Sequence, residues 1–460
     1  MTAEDRFWDE IAKCLRCGAC RELVDNACLV FPMIFSLAEE ERYAGGKMDT
    51  RELAAVADLC NLCGICPCRD IRSAILDFKT EHAERHGLRF NVRMIESVER
   101  IGKLGGAFPG MTNALLQQHT TRGIVQWFLG IHRERQFPRF PQQSFDRWWR
   151  DHGAPSTAAE RKVAYFAGCT ARYLFPEVAQ ATVEVLQKNG VEVLVPEQRC
   201  CGMPTLLEGD RRKTEALVRE NIEKWTAIVD QGYDILCSCP TCAYMLKVVV
   251  KAGAEEHKLR RLLDETDGDF VEWPAQGSML AYSLPQAGGI LQVARKYVEH
   301  MPDRNGYFAG IDPDKRLKIS RSTYDAGEYL LKLHRVGDLD TAFESCEMAA
   351  VYYPPCHVRE QCMESTYGPL LDLIPGFRMD VINGNYCCGN AGIMGFKKKF
   401  HQNSIKIAGR LMSTIKKRDP QLITTECLSC RLQFQQLTLY RIKHPIEIIR
   451  EAYDRQGGLG

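Results

Sequence analysis

Cys200-Cys201-Gly202-Met203-Pro204 is the stretch that decides the fold. Adjacent cysteines followed by glycine are rare outside metal and redox sites, and the tripeptide returns as Cys387-Cys388-Gly389. The neighbouring cysteines fall into one frame around each pair. Cys169 precedes the first pair with 30 residues between, and Cys356 precedes the second with 30 between. Cys239-Pro240-Thr241-Cys242 follows the first pair after 37 residues, and Cys427-Leu428-Ser429-Cys430 follows the second after 38. Each cysteine of the first set therefore recurs at an offset of 187 or 188. Buried structural cysteine accounts for isolated positions. Five positions repeated with one residue of slip read instead as a duplicated cluster-binding domain.

Outward from the pairs, strands alternate with helices. Val163 to Ala167 is a strand ending at Gly168-Cys169, and Pro176 opens a helix that Asn189-Gly190 stops. The strand Val191 to Val195 leads into the first double cysteine. A polar helix from Lys213 to Asp230 precedes the strand Tyr233 to Cys237, and Cys239 to Cys242 begins another helix. The second half repeats the unit, with strands at Ala349–Tyr353, Arg378–Ile382 and Leu422–Thr425 and helices at Asn403–Lys417 and from Cys430 onward. His444-Pro445 opens a last amphipathic helix with Ile446, Ile449 and Tyr453 on one face, before a loose tail at Gly457–Gly460. This alternation predicts an α/β fold of two pseudo-symmetric, Rossmann-like domains, each a parallel sheet covered on both sides. The cysteines then lie at strand carboxyl ends and helix amino ends, where such sheets bind ligands and where an anionic cluster is favoured. Gly202 and Gly389 are expected to take positive φ or to let the backbone approach a cluster.

Residues 14–68 hold eight more cysteines: Cys14, Cys17 and Cys20, then Cys28; and Cys60, Cys63 and Cys66, then Cys68. Two C-x2-C-x2-C runs form the pattern of a two-cluster, helical ferredoxin-like domain, in which the fourth cysteine of each run crosses to the other cluster. By that logic Cys14, Cys17, Cys20 and Cys68 share one cluster, and Cys28, Cys60, Cys63 and Cys66 the other. Zinc competes for C-x2-C pairs, but runs of three favour iron–sulfur. The spacers depart from the usual pattern: seven residues stand before Cys28, one before Cys68, and Asp70 falls where a fourth ligand is usual. A carboxylate matches a soft thiolate site poorly, so Cys68 is the expected ligand.

The 460 residues suffice for several domains, divided here as 1–100, 101–160, 161–255, 256–345 and 346–460. Sixty Lys and Arg against 59 Asp and Glu leave a net charge of +1, which does not suggest nucleic acid as a partner. The 21 cysteines without an apolar leader at the polar start Met1–Arg6 fit metal-bound thiolates in the cytoplasm rather than secreted disulfides. No apolar run approaches the roughly 18 residues of a membrane span. Residues 70–100 read as helix, with Ile71, Ile75, Phe78 and His82 on one face. In 101–160, Gly102, Gly105, Gly106 and Pro109 break the pattern. Aromatic residues from Trp127 to Trp149 then alternate with arginines, among them Arg122, Arg133 and Arg135. That segment reads either as a docking surface for a partner or the inner membrane face, or as a linker with arginines stacked on aromatics. Residues 256–345 read as a connection with its own helices.

With these motifs in place, the chain resembles the CCG-domain iron–sulfur proteins. That family includes the catalytic subunit of heterodisulfide reductase, a subunit of anaerobic glycerol-3-phosphate dehydrogenase, and iron–sulfur subunits of glycolate and lactate oxidation systems. The resemblance spans nearly the whole chain. It rests on the ferredoxin-type runs, Phe166-Ala167-Gly168-Cys169, Cys200–Pro204, Pro355-Cys356-His357, Cys387–Gly392, Gly395–Lys398 and His444-Pro445-Ile446. It implies a non-cubane [4Fe–4S] cluster on Cys169, Cys200, Cys201, Cys239 and Cys242, and a second on Cys356, Cys387, Cys388, Cys427 and Cys430. Two cubane [4Fe–4S] clusters would occupy the ferredoxin-type domain. The chemistry would fall to Cys200, Cys201, Cys387 and Cys388, with His357 donating a hydrogen bond to cluster sulfur or a proton to a product thiolate; an ordinary packed histidine is the other reading. Electrons would come from a flavoprotein or dehydrogenase subunit and reach a disulfide or, in a pure relay, a quinone. Cys237 aligns with Thr425 and reads as a surplus ligand, a reactive thiol or a buried strand residue; Cys346 and Cys362 read as structural. Lys397, Lys398 and Lys399 read as balancing cluster charge or as a solvated run.

Overall fold

Each half of the duplicated frame folds into a four-stranded parallel sheet, and the two sheets have the same strand order. The computed structural model describes residues 2–23, 27–40, 47–153, 160–266, 268–274, 290–299, 306–361, 363 and 366–454. Cys362 and the tail at Gly457–Gly460 lie outside them. The first half contains β1 (Arg161–Phe166), β2 (Val191–Leu194) and β3 (Asp234–Cys237), an antiparallel pair β4 (Phe270–Pro274) and β5 (Ile290–Ala294), and β6 (Thr323–Asp325). The second contains β7 (Met348–Tyr352), β8 (Phe377–Val381), β9 (Leu422–Thr424) and β10 (Arg441–Lys443). The orders are β2-β1-β3-β6 and, read in the same sense, β8-β7-β9-β10. In register, Val163 pairs with Val193 and Asp234, and Val351 with Asp380 and Ile423.

The boundary expected at residue 255 is not where the first sheet ends. Its fourth strand, β6, comes from the stretch expected to be a helical connection, and pairs Ile235 with Thr323. Three residues of strand without a long apolar run are too short to announce themselves.

The halves pack reciprocally, as a pseudo-two-fold requires. The helix Pro176–Lys188 of the first lies against Pro445–Asp454 of the second. Its counterpart in the second, Tyr367–Leu371, lies against Ala326–Arg335 of the first. Tyr165, Val178, Val185, Leu371, Ile446 and Ile449 share one apolar core across this seam, each fully buried aliphatic side chain being worth about 1.5–3 kcal/mol. His444 bridges the seam, its Nε2 2.9 Å from the Ser238 carbonyl and its Nδ1 accepting from the Ile446 amide at 3.1 Å.

The N-terminal part is helical. Helices Ala3–Cys17, Val30–Ala38, Thr50–Asp58 and Arg69–His86 enclose a core of Phe7, Ile11, Ile34, Val56, Ile75 and Phe78. Capping boxes at Thr2 and Asp49 start two of them. The helix expected over 70–100 stops at His86, before Gly87, and resumes as Phe90–Ile95 and Val98–Ala107.

The glycines expected to break 101–160 do not. Gly102 and Gly105 lie inside the helix Val98–Ala107, where added Cβ atoms would fall 2.5 Å from Tyr173 and 2.2 Å from Phe140. They are there for close packing. Pro109 opens the next helix, Pro109–Gln117, and His119–Leu129 follows. No helix among the described residues is long and apolar enough to cross a membrane.

Candidate metal centre

The carboxyl ends of both sheets face one cavity of about 180 Å³. Cys169, Cys201, Cys239 and Cys242 line it from the first domain; Cys356, Cys387, Cys388, Cys427 and Cys430 line it from the second. Local structure places each of them. Cys169 and Cys356 enter short helices directly after β1 and β7. The double cysteines sit on loops after β2 and β8. Cys239 and Cys427 cap the helices Pro240–Tyr244 and Leu428–Leu437, which carry Cys242 and Cys430. Gly202 and Gly389 take φ of 92° and 83°. A side chain at Gly389 would also strike the Ser404 carbonyl at 2.1 Å, so that position requires glycine twice over. Cys200 lines a neighbouring surface pocket with Glu99 and Arg199, its Sγ 3.8 Å from Cys169.

The donor set fits an iron–sulfur group. Every described cysteine is a free thiol. Cys388 and Cys430 approach to 3.1 Å between sulfurs. Burial pushes the Cys356 thiol well up. Hydrogen bonds from neighbouring thiols draw down Cys200, by Cys169 and Cys201, and Cys239, by Cys242, in the first set, and Cys388, by Cys387 and Cys430, in the second. Crowded, buried soft donors are what a thiophilic cationic core satisfies.

The N-terminal cysteines lie in two groups. Cys28, Cys60, Cys63 and Cys66 line a second pocket that Cys387, Gly389 and Ala391 close from the second CCG set. Burial pushes Cys28, Cys63 and Cys66 up to about 12 each. Cys63 is in turn among the charges that raise Cys356 and Cys387. The other group lies further out. Burial, then Cys20 and Cys68, push Cys14 up to about 12, whereas Cys17 and Cys68 are exposed. The arrangement thus runs from an exposed outer group through an inner group to the shared cavity. Arg72 fastens the inner group to the second domain by a largely buried 2.7 Å ion pair with Glu360. Cys68→Ser is expected to lower iron content by about four per chain and Asp70→Ala to leave it unchanged, as read by metal analysis of anaerobically purified protein.

His357 also lines the cavity, stacked on Tyr244 at 4.6 Å, with Thr241 Oγ1 3.0 Å from its Nδ1. Burial lowers its pKa to about 4, against the Leu62 carbonyl. At about 4, that value leaves the ring neutral at pH 7. Lys397 is not part of a solvated run, since its Nζ pairs with Glu208 at 2.5 Å across to the first domain, and Lys399 reaches Asp58 at 3.0 Å. Cys237 ends β3, fully buried, and Cys346 packs in the core at the domain seam.

Arg135 is a buried cation beside the second cysteine set that sequence reading did not single out within its arginine-rich run. It is 0% exposed, donates from Nη2 to Asn390 Oδ1 at 2.6 Å, and lies 4.7 Å over the Phe396 ring. Its Nε and Nη1 have no hydrogen-bond partner among the described residues. Burial lowers its pKa to about 10 while Cys388 holds it up, so it is a cation at neutral pH beside the second cysteine set. Its anchor is 255 residues away in sequence, and no local signal marks it.

A family model described as the cysteine-rich domain, CCG, matches residues 163–247 and 350–435. The chain is similar to a subunit of the anaerobic glycerol-3-phosphate dehydrogenase of Escherichia coli K12, 22% identical over 78% of this chain and 76% of that one. It is 22% identical to a subunit of the fumarate reductase (CoM/CoB) of Methanothermobacter marburgensis over 60% of this chain and 42% of that one. It is 24% identical to a probable glycolate oxidase iron–sulfur subunit of Bacillus subtilis over 60% of this chain and 50% of that one. These relatives are subunits of oxidoreductases.

Proposed function

We propose, for a chain that carries two cysteine-rich CCG domains and serves as an iron–sulfur electron-transfer subunit of an oxidoreductase, a role of heterodisulfide reductase type. Electrons from a flavoprotein or dehydrogenase subunit enter at the exposed Cys14, Cys17, Cys20 and Cys68 group and pass inward by way of Cys28, Cys60, Cys63 and Cys66. They reach the paired CCG sets, where two electrons and two protons convert one disulfide to two thiols. The clusters, when bound, supply one-electron steps and iron to which sulfur can bind. The observation that carries this reading is the single cavity lined by cysteines of both sets: a ligand there meets both centres, one for each sulfur. The chain's own residues hold the centres, and Ile95, Val98, Ile101, Phe137 and Phe140 wall the cavity against water. His357, held by Thr241 and Tyr244, offers a neutral hydrogen-bonding ring. The test is reduction of a panel of small disulfides by dithionite-reduced viologen. Turnover of at least one supports the reading; no disulfide turnover, with quinone reduced through the partner dehydrogenase, removes it.

The same apolar wall supports a second reading, a relay to a lipid-soluble quinone. The helices from Val98 to Leu129 also expose Leu104 at 71%, Phe108 at 67% and Trp127 at 78%. If that face meets a bilayer, the protein floats with liposomes and stays bound in high salt, because the contact is apolar rather than ionic. Trp127→Ser with Phe108→Ser then releases it. Absence of flotation leaves the face to a protein partner.

A further inference from the structure

We infer, on the reading that the cavity between the domains takes the electron acceptor, that this acceptor is an uncharged, largely apolar molecule and that charged analogues of it are excluded. The class is shared by neutral disulfides and by quinones. Charged residues make up 26% of the chain, yet among the described residues no Asp, Glu, Lys or Arg lines the cavity. Next to the cysteines, where clusters would sit, the remaining wall is made mainly by aliphatic and aromatic side chains such as Ile95, Leu174, Ile393, Phe396 and Leu432.

The cations next to that wall are committed elsewhere. Lys397 follows the lining residue Phe396 in sequence but pairs with Glu208. Arg135 lies over the Phe396 ring, is not itself a lining residue, and donates to Asn390. Two of the few polar groups in the wall are also engaged: Thr241 Oγ1 lies 3.0 Å from His357 Nδ1, and the Tyr353 hydroxyl donates to the Tyr386 carbonyl at 2.9 Å. A carboxylate or sulfonate entering here gives up its hydration and meets no opposite charge, which costs far more than burying a neutral ester or carbonyl. The chemistry keeps the product neutral as well. Two electrons from the partner subunit and two protons turn a neutral disulfide into two thiols, or a quinone into a quinol, and no net charge is left in the cavity.

The wall also reaches the surface as apolar side chains. Val98 and Ile101 line the cavity from the helix Val98–Ala107 and are half-buried. Leu104 continues their spacing of three along the same side of that helix and is exposed, as is Phe108 one turn further on. Phe140 lines the cavity as well. It packs against Gly105 so closely that a Cβ there would fall 2.2 Å from its ring. The line from Phe108 and Leu104 to Ile101 and Val98 therefore gives an apolar molecule continuous apolar contact from solvent to the cavity, and gives an ion no partner on the way.

The test is equilibrium dialysis of anaerobically purified, oxidised protein with its iron in place, against two matched pairs of probes. One pair is the dimethyl ester of dithiodipropionic acid and the free diacid. The other is a dimethylnaphthoquinone, which has no open position for thiol addition, and its sulfonate. In at least one pair the uncharged member should bind about a hundredfold more tightly or better. Ile101→Lys, at equal iron content, sets a cation at the rim and should cut that ratio by about tenfold by admitting the anion. That arm separates exclusion of charge from a general preference for greasy ligands, which a lysine at one position would not reverse. Binding of the quinone and not of the ester, or of the ester without its reduction by dithionite-reduced viologen, removes the disulfide reading and leaves the uncharged class standing. Equal binding within both pairs, binding of neither uncharged probe, or a ratio that Ile101→Lys leaves unmoved in folded, iron-loaded protein would overturn the inference; where that variant does not load iron, the wild-type ratio decides.

Discussion

Cys388→Ser is expected to abolish turnover of any disulfide the protein reduces, by at least about a thousandfold, equivalent to about 4 kcal/mol of barrier. Cys388 lines the shared cavity, its sulfur is 3.1 Å from that of Cys430, and its thiol is the one drawn down within the second set. A serine there offers a hard, weakly acidic oxygen where the centre needs a soft thiolate. The inner N-terminal group, on Cys28, Cys60, Cys63 and Cys66, does not include Cys388 among its lining residues. It should therefore still be reduced by dithionite at the wild-type level. Cys201→Ser, in the other set, should behave in the same way. Persistent turnover in either variant would mean that one set suffices, and the two-centre account would fail.

The second large effect concerns Arg135. A fixed buried cation beside the second set stabilises whatever extra negative charge that centre takes up on reduction. At an effective dielectric of about 20 and a separation of about 8 Å, one unit charge is worth roughly 2 kcal/mol, or about 90 mV for a one-electron step. Arg135→Gln should lower the potential of one centre by about that amount in an EPR-monitored redox titration, with the other centres unmoved and iron content unchanged. Arg135→Lys should restore much of the shift. A potential unaltered in the glutamine variant would show that Asn390 and Phe396 hold Arg135 for packing alone.

The duplicated domain was legible because its constraint repeats. The five cysteines fix where each strand ends, and the strands predicted around them appear at β1–β3 and β7–β9 within a residue or two. What escaped has a physical reason in each case. β6 and β10 are three residues long and are held in place by their neighbours rather than by a pattern of their own. Gly102 and Gly105 read as breakers because intrinsic propensity counts against glycine in helices. The packing of Tyr173 and Phe140 onto the helix outweighs that penalty. Arg135 with Asn390 and His132 with His401 join residues more than 250 positions apart, and their meaning exists only once the chain has folded.

The most direct measurement of the central claim, that all four cysteine groups hold clusters, is the iron content of anaerobically purified protein. Four centres of four irons predict about sixteen irons per chain, with a spectral signature distinct from cubane clusters arising from the two CCG sets. About eight irons and cubane spectra alone would contradict it, and would reduce the cavity between the domains to a pocket lined by thiols.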